Sequence, residues 1–105
     1  MSTKLQLFRN VNFAPFETGH FGTPNDDYEF GVDMTVITGT PVAVVVVEKT
    51  TDGGFTWTPV VTFTMDTDGG CATPAGAPLS FDAVAVRARV TSLTGGQASL
   101  NAWMK

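Results

Sequence analysis

A chain of 105 residues supports one hydrophobic core and excludes two independent domains, because smaller units bury too little of their surface to fold alone. Hydrophobic residues are 43% of the chain and charged residues 15%, against about 25% charged in an average soluble domain, which excludes intrinsic disorder. A formal charge of −4 excludes the clustered basic surface that a phosphate backbone requires, so nucleic acid is not an expected partner.

Sixteen threonines and thirteen valines, with eleven glycines and six prolines, favour strands joined by turns, since β-branched side chains suit a pleated sheet and Gly and Pro punctuate helices. No segment sustains a period of 3.6 residues. The expected fold is all-β: a compact antiparallel β-sandwich or small barrel with an extended N-terminal segment. It is one domain overall, with residues 1–27 as strand, arm and contact loop and 28–105 as core. Residues 1–10 carry Lys4 and Arg9 and no secretory apolar stretch, so synthesis in a cytoplasm is expected. The longest apolar run, 41–47, is far short of the roughly 18–20 residues of a membrane helix, and no membrane association is expected. Cys71, the single cysteine, has no intrachain disulfide partner and reads as a small residue in a reducing compartment.

Residues 4–13 alternate loosely and predict a first strand or an extended arm, with Leu5, Leu7 and Val11 opposite Gln6, Phe8 and Asn10. Residues 14–27 hold Pro15, Gly19, Gly22 and Pro24 and predict a long loop. Phe13, Phe16 and Phe21 have no obvious place in a regular sheet, which makes them candidate contact residues. Removal of residues 1–22 is accordingly expected to leave a folded core. Residues 28–37 are the cleanest strand, placing Tyr28, Phe30, Val32, Met34 and Val36 on one face. Residues 42–47 are apolar on both faces, which predicts a central strand or one beneath an interface, with Pro41 and Glu48-Lys49 beside it as breaks against aggregation. Residues 57–65 alternate again, and Pro59 predicts an edge or a bulge near the start of that strand. Residues 65–81 predict a second Gly/Pro-rich loop. Residues 84–91 and 98–103 alternate on either side of Leu93-Thr94-Gly95-Gly96 and predict a closing hairpin.

The best local motif is Thr50-Thr51-Asp52-Gly53-Gly54-Phe55-Thr56-Trp57, which matches the Asp-box pattern of sialidase-type propellers, where it forms a hairpin turn. Asp52 can accept turn amide hydrogens, Gly53 and Gly54 allow positive φ, and the Trp57 indole folds back over the hairpin. A propeller needs repeated blades and this chain carries one box, so the motif predicts a structural turn. Asp66 and Asp68 open a stretch like a calcium loop, but position 77, where a bidentate Glu would close it, is Ala77, so a solvated turn is expected. His20, the only histidine, sits in a loop without a nucleophile signature and reads as a surface residue. No catalytic residue, metal or cofactor is expected. Arg87 and Arg89 on an exposed face, with Trp103 opposite one of them, form a candidate cation–π surface for a partner.

The stretch from Phe30 to Trp103 resembles small virion proteins of tailed bacteriophages. The matching order is Gly39-Thr40-Pro41-Val42, a Val-rich strand, the Thr51–Trp57 turn, then the segment from Val86 to Gly96. The resemblance implies a non-enzymatic structural part of the virion, made in the host cytoplasm. Its expected role is a capsid decoration or cement protein that lies on the head as a homodimer or homotrimer and binds the major capsid protein. The alternative is a carbohydrate-binding or host-adhesion module that uses exposed aromatics as sugar platforms.

Overall fold

A computed structural model of the chain describes residues 5–19, 21–22, 29–72 and 83–104. The described residues form strands and no helix: β1 (Leu5–Val11), β2 (Phe16–Glu17), β3 (Phe21–Gly22), β4 (Phe30–Thr50), β5 (Thr58–Met65), β6 (Gly69–Ala72) and β7 (Ala85–Met104). All pairings are antiparallel, and the all-β expectation holds.

Two long strands organise everything else. β4 and β7 pair along their whole length, from Phe30 opposite Met104 to Thr50 opposite Ala85. β5 and β6 flank β4, while β1, β2 and β3 flank β7. The result is a four-lane sheet with β4 and β7 in the middle. A straight strand of 21 residues would run about 70 Å at about 3.3 Å per residue, yet the longest dimension of the molecule is 41 Å. The ribbon therefore bends.

The bend sits where glycine permits it. Gly39 and Gly95 have φ of 71° and 84°, a region L side chains rarely enter. A Cβ on Gly95 would lie 2.5 Å from the Thr40 carbonyl oxygen, and one on Gly96 would lie 2.3 Å from that of Thr38. Register shifts fall at Val36/Thr38, Gly39/Val42 and Val44/Val45. Across them β4 takes twenty steps where β7 takes nineteen, so the inward parity of β4 flips, as the two-residue side-chain period requires. Phe30, Val32 and Met34 point inward before the bend; Ala43, Val45 and Val47 do so after it. In β7 the even positions Val86, Ala88, Val90, Ala98, Leu100, Ala102 and Met104 are buried throughout. Both halves feed one core cluster, which the bend makes possible.

The expected hairpin at 93–96 does not form. Residues on both sides of Gly95 find their backbone partners on β4, and the left-handed backbone of Gly95 kinks a continuous strand instead of closing a turn. The valine-rich segment 42–47 is central as expected, between β7 and β5. The strand runs on through Pro41 and Glu48-Lys49, from Phe30 to Thr50. Among the described residues β5 is an edge strand, and its register shift at Val47/Glu48 falls opposite Pro59. Both forms of the proline expectation are thus realised. The alternation in 28–37 is realised for Phe30, Val32 and Met34; Tyr28 lies outside the described residues.

β1 departs from strict alternation. Leu7, Phe8 and Val11 are buried because register shifts interrupt its pairing with β7 on either side of Phe8. The N-terminal segment is thus built into the sheet and supplies core side chains, contrary to the expectation that residues 1–22 are dispensable for folding.

Candidate functional site

The turn between β4 and β5 is held by a short polar network. The Thr50 hydroxyl donates to Asp52 Oδ1 at 2.8 Å and accepts from the Gly54 amide at 2.9 Å. Asp52 Oδ1 also accepts from the amides of Phe55 and Thr56 at 3.1 and 3.0 Å, and Oδ2 accepts from the Thr56 hydroxyl at 2.6 Å. The Thr56 hydroxyl, the Thr56 amide and the Thr50 hydroxyl hold the Asp52 carboxyl far below the usual carboxylate range, because each hydrogen bond favours the charged acceptor. Gly53 and Gly54 take φ of 81° and 105°. The Trp57 indole donates to the Gly54 carbonyl at 3.1 Å, folding back as expected. At the tip, Phe55 is 90% exposed.

Trp57 lands on the outer face of the β4–β7 ribbon. There the Arg87 guanidinium carbon lies 4.3 Å from the centroid of the indole ring, a cation–π contact. Glu48 stands opposite Arg87 in the β4–β7 register and is buried. It accepts from Arg87 Nε at 2.9 Å and from Arg89 Nη2 at 3.4 Å. Arg89 Nε also lies 2.9 Å from Glu48 Oε1 but is out of line for a hydrogen bond, so the second arginine is held mainly by charge. Glu17, from β2, pairs with Arg87 Nη1 at 3.1 Å. β2 is placed by Thr18, whose amide donates to the Ala88 carbonyl and whose hydroxyl accepts from the Ala88 amide. Two carboxylates and two guanidiniums thus alternate across three strands with an indole over one end. Beside them lies an open depression of about 380 Å3 lined by Pro15, Phe16, Glu17, Arg89, Val90 and Thr91.

The candidate residues fall into separate groups. Trp57, Arg87 and Arg89 come together. Phe16 is half-buried and makes edge-to-face contacts with Phe8 and Phe13, with centroids 5.6 and 5.5 Å apart; Phe13 itself is 55% exposed. Of Phe21 the backbone is placed, opposite Val86. Trp103 is not the aromatic partner of the arginines: it sits at the far end of β7, opposite Gly31 and Gln6. Its indole lies over Gly31, where a Cβ would be 2.1 Å from Cζ2. Because β7 is continuous, residues 87 and 103 are in different halves of the sheet, and the hairpin turn supplies the indole instead.

Sequence reasoning missed Glu48, Glu17 and Phe55. The detectable signal was Arg87-x-Arg89 on one strand face, which demands a counter-charge from a neighbouring strand. Asp68 is engaged, accepting the Val36 amide at 2.5 Å, and Asp66 is exposed. Among the described residues no group of three His, Cys, Asp or Glu is placed to hold a metal. His20 lies outside the described residues. Compared with known protein families, curated proteins and solved structures, the chain gives no match.

Proposed function

We propose that this chain is a non-enzymatic virion structural protein of a tailed bacteriophage, a decoration protein that binds the head surface as a homo-oligomer. The observation that carries the reading is Phe55, which is 90% exposed at the tip of a turn whose backbone is fixed by Asp52 and Thr50. An apolar anchor on a preordered turn loses little conformational entropy on docking, which suits it to insertion into a pocket of a partner. The resemblance to small virion proteins supports the same reading, since its two motifs are the locked turn and the glycine-kinked strand. Binding would stabilise the shell by mass action, each copy adding its interface free energy to the subunits it bridges.

A second reading, glycan binding, is favoured by one observation. Trp103 and Asn101 share a strand face opposite Gly31 and Asp33, placing an indole beside polar groups as a sugar platform does. Expressed chain mixed with heads lacking it should sediment with them, and Phe55→Ser should abolish this without changing the fold. Failure to bind heads, with glycan binding lost in Trp103→Ala, would replace the first reading by the second.

A further inference from the structure

We infer that two copies of this chain join edge to edge through β5, in an antiparallel pair centred on Thr62. The inference deepens the proposed function, which includes self-association, by naming the surface through which copies meet. A sheet edge presents unpaired amides and carbonyls, and proteins blunt such edges with charge, proline, bulges or very short strands. Among the described residues β5 pairs with β4 alone. Residues Thr58–Met65 read TPVVTFTM and contain no charge. Among the described residues its guards, Pro59 and the register shift beside it, lie at one end, leaving 61–65 regular. The opposite lane is protected: β1 carries Arg9 and the left-handed Asn10, β2 is a two-residue strand ending in Glu17, and Pro15 stands between them.

The pattern of β5 fits a second copy. In an isologous pair about a two-fold axis, each residue meets one whose number completes a constant sum, and core faces match only if that sum is even. With Thr62 opposite itself, Val61 meets Phe63 of the partner subunit on the core side and Val60 meets Thr64 of the partner subunit on the outer side. Thr62 and Thr64 are exposed, Val60 and Val61 half-buried and Phe63 buried, so the apolar pair extends the core across the junction while threonines face water. The uncharged strand also lets two chains of net charge −4 meet where like charges are absent. A two-fold contact closes on itself and gives a dimer, not a fibre.

Light scattering should give a mass about twice 11.1 kDa for the chain and the monomer mass for Thr62→Lys, which sets two ammonium groups face to face, with an unchanged circular dichroism spectrum. Antiparallel neighbours about 4.5–5.5 Å apart at Cα are within disulfide reach. Thr62→Cys in a Cys71→Ser background should therefore oxidise to a covalent dimer, while Thr58→Cys should not. A monomeric wild-type chain overturns the inference, as does a dimer that survives Thr62→Lys without Thr62→Cys cross-linking. If the chain is monomeric yet binds heads in a manner lost with Thr62→Lys, a capsid strand and not a second copy occupies the edge; the decoration reading then stands and the dimer falls. Failure of the dimeric chain to bind heads sinks the decoration reading alone.

Discussion

Replacing Gly95 by alanine tests whether the crossing of two backbones at the bend holds the fold together. Two costs add. The left-handed conformation, φ of 84°, costs an L side chain about 1–2 kcal/mol. The new Cβ would also meet the Thr40 carbonyl oxygen at 2.5 Å, and forcing the strands apart costs typically another 1–3 kcal/mol, as overpacking does elsewhere. The sum, roughly 2–5 kcal/mol, lowers the melting temperature by roughly 10–30 °C in a domain of this size. Gly53 provides the control: its φ is 81° but a Cβ there meets nothing within 4 Å, so Gly53→Ala bears only the conformational cost of about 1–2 kcal/mol. Gly19→Ala, with nothing within 4 Å and no positive φ, should fall within about 0.5 kcal/mol of wild type. Urea melts of the three variants read the difference directly. If Gly95→Ala is no worse than Gly53→Ala, the close approach is not a constraint and the account of the bend is wrong.

Glu48→Gln removes the carboxylate that Arg87 and Arg89 share and should cost about 3 kcal/mol, the low end for a broken buried pair because Arg89 is partly in water; a change below 0.5 kcal/mol would show that the charges are already solvated. Deletion of residues 1–22 removes Leu7, Phe8 and Val11 from the core, and at about 1.5–3 kcal/mol each this rivals the total stability of a small domain. The truncated chain should be unfolded by circular dichroism, and a cooperative melt would contradict the placement of β1. The Asp52 carboxyl titrates lower in the folded chain than its ordinary value of 3.8, so its contribution is full above that value and is lost as acid protonates the folded carboxylate; Asp52→Asn should therefore lower stability at neutral pH and flatten the acid limb of a stability-against-pH curve below about pH 4. Phe55→Ser should leave the melt within about 0.5 kcal/mol of wild type, and a larger drop would mean that the phenyl is packed and not presented.

The all-β class, the inward faces of residues 30–34, the edge character of the strand bearing Pro59 and the locked turn at Thr50–Trp57 were all legible in the amino-acid sequence. Each depends on local rules, the two-residue side-chain period, the missing amide of proline, and an Asp that reaches amides three and four residues on. What only the tertiary structure decided is which strands are neighbours. A left-handed glycine serves a hairpin turn and a strand kink equally well, so Gly95 looked like a turn until β4 proved long enough to pair with both sides of it. With that choice went the location of Trp103, the identity of the indole over Arg87, and the burial of Glu48 between arginines about forty positions away in sequence. Leu7 and Phe8 likewise fell on opposite faces by alternation, yet both are buried in the fold, because a register shift is set by the partner strand's hydrogen bonds. Strand pairing is a long-range competition for backbone partners, and the side-chain period that reveals a strand carries no record of who wins it.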